Sequence, residues 1–276
     1  MTKKKKNSNY KHADTTAAPP KKPAGKKKTL KIVLGIVAAL LLALVIGITA
    51  YLMNGYEADD DAKFAMLEDE WLSVDDQEGR LVFTPTQATL DETTKELTTG
   101  FIFYPGANVD HHAYAPLMSE LSRQGVLCVI VDMPLDHAFL DKNAADHILE
   151  DYPDIQHWYI GGHSLGGKIA AEYVADRTDR FEGLVLLAAY STRDLSDTDL
   201  KVATLYGDRD KILNMDDYEK NLKNLPEGYI EDVIEGGNHA NFGSYGEQSG
   251  DGPAGVSTYV QCKVTSEAIL ALMGIL

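Results

Sequence analysis

The stretch that decides the fold of this chain reads Trp158-Tyr159-Ile160-Gly161-Gly162-His163-Ser164-Leu165-Gly166-Gly167. An apolar entry of strand type leads into Gly-x-Ser-x-Gly, and a segment with apolar residues at helical spacing follows over 168–175. A strand, a tight turn and a helix are the context in which this motif presents a serine hydroxyl clear of the backbone. Side chains at Gly162 and Gly166 would collide with the neighbouring strand and helix. Ser164 is therefore the candidate nucleophile.

Short apolar runs alternate with helical segments on both sides of this motif. Such alternation predicts a mostly parallel sheet with helices on both faces. The predicted strands are 100–104, 126–132, 158–160, 183–188, 201–206 and 229–234, and the predicted helices are 114–124, 138–150, 165–176 and 264–276. Two further runs, 71–74 and 80–84, flank a polar segment that contains Gly79 and predict an N-terminal antiparallel hairpin.

The charge of the chain is divided between two regions of opposite sign. Residues 1–31 contain eleven lysines and one acid, a net charge of +10, whereas the remainder holds 15 basic and 41 acidic residues, a net charge of −26. The acidic remainder argues against a nucleic-acid partner, because phosphate binding requires clustered lysine and arginine. The basic region has few large apolar residues and is predicted to be a disordered tail.

An uncharged apolar segment over 32–53 separates the two regions. At about 1.5 Å per residue in a helix, its length of roughly 33 Å is enough to cross a bilayer core. We interpret it as a transmembrane helix and signal anchor; a cleaved signal peptide is the alternative, although apolar regions of signal peptides are shorter. The positive-inside rule then places the tail in the cytoplasm and the remainder on the outer side of the cell membrane.

The rest of the chain divides into an acidic juxtamembrane spacer over 54–70 and one folded domain over 71–276. Two cysteines, Cys128 and Cys262, are too few for a disulfide framework or a cysteine metal site. Cys128 lies within an apolar run, which favours a buried position. Whether the two cysteines pair, and the oligomeric state, stay open.

Residues able to carry chemistry follow three predicted strands. Ser164 follows the first, Asp208 and Asp210 follow the second, and His239 follows the third. Sites in parallel sheets form at the carboxyl ends of strands, so we expect these side chains to meet. Their chain order of serine, acid and histidine is that of α/β-hydrolases. The pattern alone leaves open whether Asp208 or Asp210 is the acid.

From Trp71 to the C-terminus the chain resembles the α/β-hydrolases, and among them compact lidless serine hydrolases such as dienelactone-hydrolase-like esterases. In these relatives the acid follows a Gly-x-x-Asp pattern, which Gly207 to Asp210 match, so the resemblance implies Asp210. The dienelactone hydrolases use a cysteine nucleophile where this chain has Ser164, and their substrate is not carried over.

The loop 104–108 resembles the oxyanion loop that follows the third strand in this family, with Pro105 where a histidine is common. The resemblance implies that the backbone N–H of Ala107 and the N–H of Leu165 stabilise a developing oxyanion. Only twelve residues separate Ala188 from Lys201. This interval is too short for a lid domain, so an open cleft and small-molecule or exposed acyl substrates are expected.

These observations predict a serine hydrolase that cleaves an ester or related acyl bond with Ser164, Asp210 and His239. Such chemistry needs no metal or organic cofactor. A peptidase or acyltransferase with the same triad, or a non-catalytic anchored binding module, are the alternatives. The adjacent histidines His111 and His112 lack further well-spaced ligands and are poor evidence for zinc.

Overall fold

The structure, a computed structural model, describes Thr2, residues 25–52 and residues 55–276. The predicted basic tail lies largely outside these residues. The chain divides into two compact units at Ala50 and Tyr51. The first contains one long helix, and the second contains all of the strands that the structure describes.

Helix α1 (Gly25–Leu52) contains residues 32–52 of the predicted span and begins seven residues before it, and Met53 lies outside the described residues. Its segment Thr29–Thr49 has a mean hydropathy of 3.0 and is long and apolar enough to cross a membrane. Length and composition of this kind fit a membrane anchor and equally fit a signal sequence.

The second unit is built on one eight-stranded sheet in the order β1-β2-β4-β3-β5-β6-β7-β8. Strand β2 is antiparallel to both of its neighbours, and the remaining strand pairs are parallel. The strands are β1 (Leu72–Gln77), β2 (Arg80–Pro85), β3 (Thr99–Tyr104), β4 (Leu127–Val131), β5 (His157–His163), β6 (Gly183–Leu187), β7 (Lys201–Gly207) and β8 (Ile230–Ile234).

Helices cover both faces of this sheet, as the sequence predicts. They are α2 (Asp60–Ala65), α3 (Gln87–Glu92), α4 (Ala115–Ser122), α5 (Ala145–Asp151), α6 (Leu165–Val174), α7 (Met215–Asn221) and α8 (Thr258–Met273). Side chains of β3 alternate between the faces: Phe101 and Phe103 belong to the apolar core on the side of α4 and α8, and Ile102 belongs to the core on the side of α6. The mostly parallel, two-sided architecture is therefore confirmed.

Several predicted boundaries differ from the structure. The helix expected over 138–150 begins only at Ala145, and Ala138–Leu140 form a separate 3₁₀ turn. The hairpin loop expected over 75–79 is a two-residue turn, because β1 continues along the exposed edge to Gln77 and Gly79 supplies a positive φ of 87°. The closing helix begins at Thr258 instead of 264, since the Ser257 side chain caps it by accepting from Val260 N. It ends at Gly274 in the left-handed conformation.

The segment predicted to be a spacer is packed on the folded unit from Gly55 onward. Tyr56 forms a β-bridge with Val109, and the backbone N–H of Asp59 donates to the Ser244 carbonyl at 2.9 Å. Ala62 of α2 is fully buried. The acidic residues that indicated a solvated spacer lie on the outside of this short helix, opposite the buried Ala62. Cys128 and Cys262 are buried and unpaired.

Removing the Phe103 ring tests how much the core beside the sheet contributes to the free energy of unfolding. Phe103 is fully buried, with its ring centroid 4.8 Å from that of Tyr114. We expect Phe103→Ala to lower the free energy of unfolding by about 3–5 kcal/mol, because a cavity replaces the ring. Urea unfolding of the detergent-solubilised chain, followed by tryptophan fluorescence, measures it. Phe139→Ala is the control, since Phe139 is 55% exposed; equal losses in the two variants would contradict the assignment.

Candidate active site

The turn between β5 and α6 has the geometry that the Gly-x-Ser-x-Gly motif predicts. Ser164 adopts φ 53° and ψ −120°, a strained conformation for a residue other than glycine. A Cβ added at Gly162 would lie 2.6 Å from the Tyr104 carbonyl oxygen, and one at Gly166 would lie 2.2 Å from the same oxygen. Only glycine allows this approach, which brings the serine beside the loop that follows β3.

The acid and the histidine predicted from sequence are hydrogen-bonded to each other. His239 Nδ1 donates to Asp210 Oδ2 at 2.8 Å, and both side chains are almost completely buried, at 2% and 1% exposure. Oδ1 of Asp210 accepts from the backbone N–H groups of Ile212 and Leu213, each at 2.8 Å. The carboxylate therefore fixes the His239 tautomer that leaves Nε2 free to accept a proton.

The alternative acid, Asp208, is used elsewhere in the same turn. Its Oδ1 accepts from the backbone N–H of Gly236 at 2.7 Å, and the residue is exposed. The geometry thus separates two carboxylates that the sequence pattern leaves equivalent: Asp210 contacts the histidine, and Asp208 joins the end of β7 to the segment before His239.

Ser164 follows His163 in the chain, and His163 packs on His239 of the Asp210–His239 pair. The ring centroid of His163 lies 4.4 Å from that of His239, so the strand end that carries the serine packs directly on the histidine. Among the residues that the structure describes, no hydrogen bond joins the Ser164 hydroxyl to His239. Such bonds are often long before a substrate is bound.

The two expected oxyanion donors lie at neighbouring strand ends. Leu165 is the first residue of α6, where a backbone N–H has no partner within the helix. Ala107 lies in the loop after β3, between Gly106 and Asn108, whose own N–H donates to the Asp136 carbonyl at 3.0 Å. Within the described part of the chain, neither the Ala107 nor the Leu165 N–H donates to another group, so both are free for a ligand.

A buried tyrosine that sequence reasoning missed connects the loop after β3 to the serine turn. The backbone N–H of Gly106 donates to the Tyr114 hydroxyl at 3.0 Å, and that hydroxyl bonds with His163 Nδ1 at 2.8 Å. Burial holds the pKa of His163 well below its ordinary value, so the ring stays neutral. Its Nδ1 accepts the hydrogen bond that the Tyr114 hydroxyl donates. The sequence assigns Tyr114 only to a helix, because nothing in its local pattern indicates the contact.

A second missed residue, Asp251, joins the loops of the acid and the histidine. Its Oδ2 accepts from the Ala240 N–H at 2.9 Å, and its Oδ1 accepts from the Lys211 N–H at 3.2 Å. Asp251 lies in the glycine-rich segment 244–255, and its carboxylate fastens this segment to both loops. Because the contacts span 11 and 40 residues of sequence, no local signal reveals them.

His111 and His112 lie outside this arrangement, in a short 3₁₀ turn over His111–Tyr114. His112 bonds with Asp110 at 2.6 Å and with Asp76 at 3.2 Å. The bond to Asp110 and the nearby charge of Asp76 raise the pKa of His112 to about 9. Burial opposes ionisation of Asp110, yet the hydrogen bonds from His112 hold the pKa of that carboxyl at about 2. One ligand atom each of His112, Asp76 and His111 lie within 4.8 Å of one another, a spacing that could hold a metal ion.

Comparison with known proteins identifies the family of this fold. A family model described as "Alpha/beta hydrolase family" matches residues 100–263. The chain therefore belongs to the α/β-hydrolases. None of the curated proteins compared with the chain matches it.

Solved structures show the same fold at low sequence identity. A predicted CIB-like hydrolase from Thermoplasma acidophilum is 14% identical, with a TM-score of 0.51 over 72% of this chain and 96% of that one. Est1E from Butyrivibrio proteoclasticus is 13% identical, with a TM-score of 0.53 over 74% of this chain and 100% of that one. At these identities the likeness supports a common fold and gives no information about the substrate.

The tyrosine contact makes a prediction about stability. Tyr114→Phe removes the acceptor of the buried Gly106 N–H and the partner of His163 Nδ1. Leaving buried polar groups unsatisfied costs about 1–3 kcal/mol, so we expect urea unfolding to show a loss of that size. Tyr259→Phe removes a hydroxyl from a residue that is 68% exposed, and it should leave stability unchanged. A Tyr114→Phe variant as stable as the control would contradict the assigned bonds.

Proposed function

We propose that the chain is a serine hydrolase that cleaves a carboxylic ester or related acyl bond through an acyl-enzyme on Ser164. One observation carries the proposal: the buried hydrogen bond from His239 Nδ1 to Asp210 Oδ2, at 2.8 Å, beside the strained turn of Ser164. A histidine held in this tautomer by a buried carboxylate is the arrangement that activates a serine nucleophile.

The proposed reaction begins with attack by the serine. His239 Nε2 takes the Oγ proton of Ser164 as Oγ bonds to the substrate carbonyl carbon. The imidazolium is stabilised by Asp210, and the N–H groups of Ala107 and Leu165 donate to the carbonyl oxygen as its negative charge develops. His239 then returns the proton to the leaving alcohol. Water, activated by the same histidine, releases the acid and restores Ser164.

The shape of the unit favours small or exposed acyl substrates. The segment between β6 and β7 contains no helix, and Leu195 within it is fully buried, so this connection packs down on the unit and forms no lid. In the loop beyond β4, Leu135 and Phe139 are 62% and 55% exposed. Their backbone neighbour Asp136 bonds with the loop of Ala107. This exposed apolar surface supports an acyl or alcohol group of modest size as the ligand.

Substitutions at the three triad positions test the proposed reaction. Hydrolysis of p-nitrophenyl acetate by the full chain in detergent should be lost in Ser164→Ala and in His239→Gln, and Asp210→Asn should lower kcat by about 10³-fold or more. Each substitution removes the nucleophile, the base or the group that fixes the tautomer.

Asp208→Asn is the matched control for the acid. It lies in the same turn and keeps an acceptor oxygen for the Gly236 N–H, so kcat should stay near the native value. Hydrolysis by Ser164→Ala at the native rate would rule out an acyl-enzyme on Ser164. Equal losses of kcat in Asp208→Asn and Asp210→Asn would contradict the assignment of Asp210 as the acid.

We also propose that α1 anchors the enzyme in the cell membrane, with the N-terminus in the cytoplasm and the catalytic unit outside. The apolar segment Thr29–Thr49, in which Lys31 is the one charged residue, supports the anchor. The +10 charge before residue 32, against −26 after it, supports the orientation.

The position of the lysines allows the anchor and its orientation to be tested together. In intact cells that express the chain, a membrane-impermeant amine reagent should modify the exposed Lys63 and Lys263. The lysines before residue 32 should react only after the membrane is opened. The protein should keep its full mass of 30.2 kDa and stay with the membrane in high salt. Reaction of the N-terminal lysines in intact cells would show that the orientation is opposite to the one proposed. A chain shortened by about 50 residues would identify a cleaved signal peptide.

A further inference from the structure

A second group of side chains able to carry chemistry lies beyond the proposed triad, at the same edge of the sheet. Strands β1, β3 and β4 run in the same direction, because β2 is antiparallel to both of its neighbours. Their carboxyl ends therefore bring together residues from three separate parts of the sequence. We call this group the edge cluster; it consists of Asp76, Asp110, His111, His112 and Asp132.

The spacing within the edge cluster is that of ligands around one metal ion. One ligand atom from each of Asp76, His111 and His112 lies within 4.8 Å of the others. His112 Nε2 is 3.2 Å from Asp76 Oδ2. His111 Nδ1 faces Asp132 Oδ1 at 3.5 Å, so Nε2 of the same ring is the nitrogen left for an ion. Two ligands at tetrahedral zinc, with bonds near 2.1 Å, are about 3.4 Å apart.

The orientation of His112 is also that of a metal ligand. Its Nδ1 donates to Asp110 Oδ1 at 2.6 Å, which directs Nε2 towards Asp76. Zinc-bound histidines commonly donate their second nitrogen to a carboxylate in this way. Asp110 is itself held in place, because its carboxylate accepts from the backbone N–H groups of Ala58 and His112. The orienting group is therefore fixed before any ion binds.

Charge and unpartnered atoms point to a cation. Within the described residues, the ion pairs of Asp76, Asp110 and Asp132 are formed with His111 and His112 alone, without lysine or arginine. Three carboxylates thus face two imidazoles, and a single imidazolium leaves a net charge of −2. His111 is only 8% exposed, and its Nε2 makes no hydrogen bond in this part of the chain. A buried ring nitrogen without a partner requires an explanation.

We propose that Asp76, His111 and His112 bind one Zn²⁺ ion, with Asp110 orienting His112 and Asp132 facing the other ring nitrogen of His111. The site is separate from the hydrolase chemistry and does not depend on it. Zn²⁺ suits this set of two imidazoles and one carboxylate, with water as a fourth ligand in tetrahedral geometry, whereas Ca²⁺ takes about six to eight ligands that are all oxygen. The ion would fasten the β1–β2 hairpin to the turn over 111–114, three residues beyond the loop of Ala107.

Zinc binding by the full chain in detergent tests the proposal. After EDTA treatment and its removal, competition with a chromophoric chelator measures the Zn²⁺ affinity, and thermal unfolding measures the stabilisation. The native chain should bind one Zn²⁺ that Asp76→Asn binds at least about tenfold more weakly. Zn²⁺ should raise the unfolding midpoint of the native chain and not that of the variant. Because the Asp76 side chain is 60% exposed, this substitution should leave folding intact.

His147→Gln is the matched control, since it removes an exposed histidine outside the edge cluster and should keep native affinity. His112→Gln should lose affinity as Asp76→Asn does. Equal Zn²⁺ affinity in the native chain and Asp76→Asn would overturn the proposal, and so would an unchanged native unfolding midpoint. Either result would mean that His112, as an imidazolium between Asp76 and Asp110, is the only cation of the cluster. A midpoint raised by Ca²⁺ and not by Zn²⁺ would contradict the choice of ion.

Discussion

The close approach of the Tyr104 carbonyl to the serine turn is the constraint on which the rest of the site depends. A Cβ at Gly166 would lie 2.2 Å from that oxygen, so α6 can begin beside the end of β3 only where glycine stands. The same contact brings Ser164, at its strained φ of 53°, next to the loop that carries Ala107. A larger residue at Gly166 would separate the proposed nucleophile from its proposed oxyanion donor.

Hydrogen bonds between loops hold the loops at the strand ends in place around this turn. The Tyr114 hydroxyl ties the loop after β3 to His163, and His163 packs on His239. Asp251 ties the loop of Asp210 to that of His239. The bonds of Tyr114 are buried and the bond from Ala240 to Asp251 is partly buried, where a missing partner is costly. They make one rigid arrangement from segments that are far apart in sequence.

The sequence predicts the parts of this structure that depend on local pattern. Strand and helix alternation, the hairpin and the serine turn follow from apolar periodicity and glycine, and the family match confirms the fold. The packing of Tyr56 and α2 on the unit could not be predicted, because acidic residues near a membrane span are typical of solvated segments. Tyr114, Asp251 and the partners of His112 also depend on contacts across the fold, which periodicity does not report.

Ser164, as the proposed nucleophile, can be labelled directly. The full chain in detergent is treated with a fluorophosphonate, and the adduct is mapped by tandem mass spectrometry. We expect one phosphonyl group, on the Ser164 hydroxyl, and far slower labelling when His239 is replaced by glutamine. An unlabelled Ser164, or an adduct that forms as fast without His239, would contradict its role as the nucleophile.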